Sequence, residues 1–281
     1  MKTASDALMA FLNTKQQALI FDLITIRLVG GTVARYTSAD QDISYGGDLY
    51  QSFLMRRSRT RVSVGTEVDT LDLSLYPDPT DMLKGVSWLQ AVHMGALDGA
   101  LVTLERLFMP TWGDTSLGTI TMFVGAVSDV EASRTEAVLH VKSSLERLNV
   151  KLPRNLYQSG CLNSLFDNGC GINKMDFSES GVVTSATATE IHGTVPAMDG
   201  WYTLGTIWFE SGVNAGLKRS IRAWVNNVAV LALPLLTPPA PGDLFVVSPG
   251  CDKQQATCKK KFNNVINFRG MPFIPDPETV I

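Results

Sequence analysis

The chain has 281 residues, 45% hydrophobic and 18% charged, with a formal net charge of −3. That apolar share suits a globular protein with a real core, in one large domain or two of ordinary size. The charge gives no sign of a phosphate-binding surface spread over the molecule, and no apolar run is long enough for a membrane-spanning helix.

Residues 1–16 read as a short amphipathic helix with Leu8 and Leu12 on one face. Asp6 inside its apolar stretch makes it a poor secretory signal, so the thiols are expected to meet a reducing cytosol. A strand follows over Leu19–Val29, ended by Gly30-Gly31. Val68–Tyr76 reads as a half-buried strand, because Leu71, Leu73 and Leu75 alternate with polar residues until Pro77 and Pro79 stop it. Trp88–Met94 suggests a turn or two of helix before Gly95. Three more strands are predicted at Ala100–Phe108, Gly118–Asp129 and Glu136–Val141, with Gly125 marking a bulge or barrel bend. Lys142–Asn149 looks like a short helix leading to Pro153. A β-rich unit, sheet or small barrel, is therefore expected over about 17–150, and the domain boundary near 150.

Beyond the first cysteines the composition turns to β-branched and aromatic residues. Gly181–Thr189 and Trp201–Phe209 are predicted strands, Gly212–Lys218 a hairpin, and Arg219–Val225 and Val228–Leu233 a strand pair. Asn226-Asn227 between the last two tolerates the positive φ of a two-residue turn. Pro238–Asp243 is a rigid connection, and Leu244–Val247 a last strand. Residues 175–248 thus form an all-β module inserted between two cysteine pairs, inside a second domain over 151–281.

The four cysteines are Cys161 with Cys170 and Cys251 with Cys258, separated by eight and six residues, with eighty between the pairs. Both pairs lie in glycine-, asparagine- and lysine-rich loops. Structural zinc usually takes pairs two to four residues apart on a tight knuckle, and these gaps are wider. Two disulfides fit geometrically but conflict with a reducing compartment. An iron–sulfur cluster is larger than one ion and draws ligands from longer loops. On spacing, cluster, zinc and disulfides all stay open. Lys253, Lys259, Lys260 and Lys261 would offset thiolate charge, or form an ordinary solvated face. A site at both ends of an inserted module serves better as a staple than as a reactive centre.

Catalytic signals are poor. His93, His140 and His192 are scattered, Asp69 and Asp72 alternate outward on a strand, and no nucleophile elbow, phosphate loop or dinucleotide fingerprint is present. Trp201 and Trp208 could form a carbohydrate platform, though core packing of a small sandwich accounts for them as well.

At the second cysteine pair the sequence becomes specific. Gly250-Cys251-Asp252-Lys253, Cys258, Phe262-Asn263-Asn264 and Asn267-Phe268-Arg269-Gly270, with Pro272 and Pro275, resemble the C-terminal signature of a phage tail family. These are the baseplate-hub or tail-tip proteins of long-tailed phages and gene transfer agents, related to the tail tip protein of phage lambda. Cys161 with Cys170, Ser211-Gly212 with Asn214-Ala215-Gly216, and Pro241-Gly242-Asp243 are similar to the family too.

The resemblance implies a [4Fe–4S] cluster on Cys161, Cys170, Cys251 and Cys258, with zinc as the alternative. It implies a mainly β fold, with a tail-tube-like β-barrel hub domain over 1–150 and a C-terminal β module closed by the cluster. It further implies a homotrimeric ring at the virion tail tip, assembled in the host bacterial cytoplasm and joining the tail tube to the tip. The expected neighbours are the distal tail protein, a central tip or fibre protein and a tail-associated peptidase. DNA would pass the lumen without sequence-specific binding, and no stable membrane insertion is expected. The reading is non-enzymatic; a zinc- or iron–sulfur-dependent enzyme and a carbohydrate-binding tail module are its rivals.

Overall fold

A computed structural model describes residues 4–14, 17–60, 67–150, 152–153 and 155–274. Within it the chain divides into two units, Met1–Val150 and Lys151–Ile281.

The first unit opens with helix α1 (Asp6–Asn13), started by Ser5, whose hydroxyl accepts the Leu8 N–H at 3.1 Å. Leu8 is fully buried beside Phe108 and Leu117. The predicted extension of the helix to residues 15 and 16 lies outside the described residues. The strands that follow are β1 (Leu19–Arg27), β2 (Val33–Thr37), β3 (Ile43–Tyr45), β4 (Asp48–Ser52), β5 (Met55–Arg57) and β6 (Thr70–Leu75). A small hairpin, β7 (Met82–Leu83) and β8 (Val86–Ser87), leads into α2 (Trp88–His93); β9 (Leu101–Met109), β10 (Thr119–Ala132) and β11 (Ala137–Lys142) complete the unit. The segment predicted as a helix over 142–149 is a 3-10 turn at Ser144–Leu148.

Nine of these strands form one sheet in the order β3-β4-β2-β1-β9-β10-β11-β6-β5. Its ladder does not close, so of the sheet or small barrel read from the strands this half is the sheet, and the tail-tube-like β-barrel that the resemblance implies is not a closed ladder here. The sheet is nevertheless rolled. Only Phe53 and Leu54 separate β4 from β5, although the two strands stand near opposite ends of the order. Phe53 N–H donates to Thr37 O on β2, and Leu54 O accepts the Tyr76 N–H just after β6. One bent segment, 48–57, therefore lines both margins. Inside lies the main core, drawn from all round the sheet and including Ile24, Phe53, Leu73, Trp88, Leu104 and Leu139. On another face Asp22 of β1 takes Arg57 at 2.5 Å and Arg106 at 3.1 Å, the first from the far edge of the order. Gly125 is not the bulge it was read as: the register shifts lie at Thr121/Phe123 and Val127/Asp129. Glycine is required there because a Cβ would come within 2.4 Å of Lys142 O and 2.7 Å of the Phe123 ring.

In the second unit, β12 (Glu179–Ala186), β13 (Glu190–Gly193), β14 (Thr206–Phe209), β15 (Lys218–Val225), β16 (Val228–Leu231) and β17 (Leu244–Ser248) form a closed barrel in the order β12-β13-β16-β15-β14-β17. The first and last strands of the module pair with each other, Glu179 opposite Val247 and Val182 opposite Leu244. The module's two ends therefore meet without help from the cysteines. Asn226 and Asn227 turn the chain between β15 and β16 at φ 51° and 60°. Phe245 fills the space over Gly181 and Gly193, where a Cβ would come within 2.7 and 2.4 Å of its ring. Tyr202 and Trp224 meet edge to face, centroids 4.8 Å apart, beside buried Ile207 and Phe209.

The aromatic strand predicted over 201–209 is shorter: Trp201–Leu204 is a turn, and pairing begins at Thr206. The physical reason is a backbone crossing. A Cβ on Gly205 would sit 2.1 Å from Ser248 O, and one on Gly250 2.1 Å from the Leu204 carbonyl carbon. The turn must swing out of the strand to pass this loop. Among the described residues no helix is long and apolar enough to cross a membrane.

Candidate four-cysteine centre

Three loop segments of the second unit converge. The first, 160–171, is shaped by Asp167, whose carboxylate accepts the Ser164 N–H at 2.7 Å and the Cys170 N–H at 2.6 Å. The bond from Cys170 chiefly holds this carboxyl below the usual aspartate range, with help from the Ser164 and Gly169 amides and the charge of Lys253. Phe166 and Gly171 take positive φ, 67° and 70°, which folds ten residues back on themselves.

The second segment carries Cys251 and then α3 (Gln255–Lys260), which presents Cys258 on its buried side. Asp252 accepts the Gln254 N–H at 2.9 Å and the Thr257 hydroxyl at 2.8 Å, tying the loop to the helix. Lys253, at φ 65°, joins the two cysteine loops from both ends: its carbonyl accepts the Cys161 N–H at 2.9 Å and its ammonium donates to Asn163 O.

The third segment, 262–270, closes the ring. Asn264 donates to Cys170 O at 2.6 Å and lies 3.6 Å from its sulfur, while Asn163 donates to Asn267 O at 3.0 Å. Gly270 passes so near Gly160 that a Cβ would fall 2.7 Å from Ser159 O.

All four sulfurs line one cavity with Leu165, Ile172, Phe262 and Phe268. Three of them accept N–H groups: Cys161 from the Arg269 amide at 3.4 Å, Cys251 from the Lys253 amide at 3.4 Å, and Cys170 from Asn264. Cys258 instead donates to Asn264 O at 3.2 Å. All four cysteines are free thiols, so neither predicted pair is a disulfide here. Burial pushes the Cys258 thiol up, and repulsion from Cys161, Cys251 and Cys170 pushes the same way. Four charged thiolates gathered here would repel one another, and a cation among them would relieve that repulsion.

Among the described residues no three His, Cys, Asp or Glu side chains meet closely enough to hold one metal ion. The cavity that the four cysteines share is about 20 Å³, little more than one water needs. The donor set suits a thiolate-bound group chemically, through four soft ligands, three of which accept N–H groups.

The flanking lysines are unequal. Lys261 is half-buried, donates to Trp201 O and to Gly250 O at 2.9 Å, and is pushed down from the ordinary lysine value by burial. Lys259 and Lys260 are exposed on α3. Of the histidines, His93 and His140 belong to the first unit and His192 to the barrel wall at β13. Trp201 sits on the turn before β14, and Trp208 is exposed on β14 with the Lys218 ammonium 5.6 Å from its ring. The sequence reading names Asn264 and Asn267 in the family signature without assigning them a role, and gives none to Asn163 and Asp167. The available signal was Asp167 three residues before Cys170 and Asp252 two before Gln254, both turn-forming spacings.

The family model described as "Baseplate hub protein, N-terminal attachment domain" matches residues 5–173. A second, described as "Phage conserved hypothetical protein BR0599", matches residues 200–278. No curated protein matches the chain. Among solved structures, a chain of the "Virion of native gene transfer agent (GTA) particle" superposes with a TM-score of 0.73 at 20% identity, over 98% of this chain and 94% of that one; at that identity the likeness is one of fold.

Proposed function

Because the chain belongs to the baseplate hub protein family, we propose that it forms the ring joining the tail tube to the central tip of a long-tailed phage or gene transfer agent. It is a structural hub protein of such a tail, and its place is the virion. In this reading three copies encircle the lumen. The distal tail protein lies on one side, the central tip or fibre protein on the other, and a tail-associated peptidase nearby. DNA passes without sequence-specific contacts, and the role is mechanical, with no catalysis.

The second half of the reading concerns the cysteines. Cys161, Cys170, Cys251 and Cys258 hold a [4Fe–4S] cluster, with zinc the competing occupant. The observation that carries this is the convergence of four sulfurs from loops eighty residues apart, three of them accepting N–H groups. When bound, such a group would supply cationic iron to the four sulfurs, opposing the burial and the mutual repulsion that push the Cys258 thiol up. The barrel closes on itself through β12 and β17, so the cluster's work is to secure the 160–171, 250–261 and 262–270 loops beside it. Lys253 positions two of those loops.

Cryo-electron microscopy of particles from a producing strain tests the hub role. The reading predicts this chain in a ring of three at the end of the tail tube, and tubes without tips when its gene is deleted. Complete tips in particles lacking the chain would contradict it.

A further inference from the structure

A second, larger cavity opens beside the cysteine loops. It measures about 610 Å³ and lies between the 198–204 turn and α3, well within the range of small-ligand sites. Trp201 is half-buried in it, and Met198 and Leu204 are exposed at its margin. Leu204 is held there at φ 60°, a conformation costly for a side chain with a Cβ. Its charges balance, with Asp199 and Asp252 against Lys260 and Lys261.

The turn is also held. Lys261 donates to Trp201 O and Gly250 O, and its ammonium lies 5.2 Å from the Trp201 ring. Asp199 is oriented by the Asn226 N–H at 2.7 Å, and Asp252 by Gln254 and Thr257. Each carboxylate keeps lone pairs beyond those bonds. The aromatic surface and the acceptors are thus fixed before anything binds.

We propose that this cleft is a saccharide-binding subsite, in which the Trp201 indole stacks on the apolar C–H face of a sugar ring while Asp199, Asp252 and Lys260 take its hydroxyls. The charge balance selects the ligand class. Nucleic acid or another polyanion needs a basic excess, and the two carboxylates oppose it. A purely apolar ligand would strip water from those carboxylates with nothing in return. A neutral or N-acetylated sugar offers both an apolar face and hydroxyl donors. This reading stands on the cleft alone and holds whether or not the cysteines carry a cluster.

The test uses the full chain in two arms. Saturation-transfer NMR probes the free methyl glycosides of glucose, galactose, mannose and N-acetylglucosamine, and co-sedimentation probes chitin and purified bacterial sacculi. Binding in the first arm indicates recognition of a single ring, and binding in the second alone indicates recognition of linked rings; either supports the subsite. Trp201→Ala should weaken binding by at least about tenfold, the scale of one lost aromatic contact. Ala256→Trp should do the same by filling the cleft without removing a contact, which keeps the test valid if Trp201→Ala loosens the turn. Trp208→Ala, on the barrel's outer wall, should leave binding unchanged. Absence of binding in both arms, or binding that survives Trp201→Ala and Ala256→Trp, overturns the proposal.

Discussion

Gly250 and Gly216 are glycine for different reasons, and substitution separates them. Gly216 takes φ 82° with open space around it, so Gly216→Ala should cost only the strain of a left-handed alanine, about 1–2 kcal/mol. Gly250 needs room rather than freedom, since a Cβ would meet backbone at 2.1 Å. Gly250→Ala should cost more than about 3 kcal/mol and disturb both the 201–204 turn and Cys251. Chemical denaturation of the two variants measures the difference, and equal losses would refute the crossing as the cause. His140 provides a pH test at the same scale. Its hydrogen bond to Asp72, 2.8 Å, raises the ring above the ordinary histidine value, with Glu131 adding to the effect and burial opposing it. A raised value in the fold means the protonated ring stabilises fully below about pH 6.5 and loses that contribution as pH rises through the folded value. The pair is largely solvent-screened, so the amount stays below about 1 kcal/mol. NMR titration of Asp72→Asn should show the His140 midpoint falling, and an unchanged midpoint would rule out Asp72 as the main cause.

At the scale of elements, the barrel of the second unit depends on one ring over two glycines. Phe245 is 1% exposed and occupies the space that Gly181 and Gly193 leave. Phe245→Ala should destabilise by about 3–5 kcal/mol. Gly193→Val should be at least as damaging, because the added carbons have nowhere to go but into the ring; a thermal melt of each is enough. The elements that sequence disclosed were those with a strong local pattern. Leu71, Leu73 and Leu75 alternate on β6, Leu8 and Leu12 recur four apart on α1, and Asn226-Asn227 can take positive φ. The strands β2 to β5 escaped because each has three to five residues and depends on sheet neighbours rather than on its own periodicity. Trp201–Leu204 was misjudged for the opposite reason. Its aromatic and β-branched composition favours a strand, and a backbone crossing with Gly250, distant in sequence, overrides that preference. That the four cysteines line one cavity accords with their place at the two ends of the inserted module. The asparagines and amides around the sulfurs were not legible in the sequence, because only the folded loops bring Asn264 to Cys170 and Arg269 to Cys161.

For the whole molecule, each of the two units is stabilised by its own chemistry. The first packs its main apolar core inside a rolled sheet, with smaller apolar clusters around Leu23 and Leu8. The second closes its barrel through β12 and β17 and leaves the cysteine loops to be gathered by Lys253, Asn264 and four thiols. A group that binds those thiols should therefore protect the 160–171 and 250–270 loops while barely changing the barrel. Removing it with a chelator should raise hydrogen exchange in those loops before it raises exchange in β15 or β17. Uniform loss of protection across the unit would instead make the barrel itself dependent on the bound group. The most direct test of the account is an iron, zinc and acid-labile sulfide assay of the anaerobically purified chain, with its visible spectrum, beside Cys251→Ser. A cubane cluster predicts about four iron and four sulfide per chain with thiolate-to-iron absorbance, all lost in the variant. One zinc without sulfide, or a folded chain with no metal and unchanged loops, would contradict it.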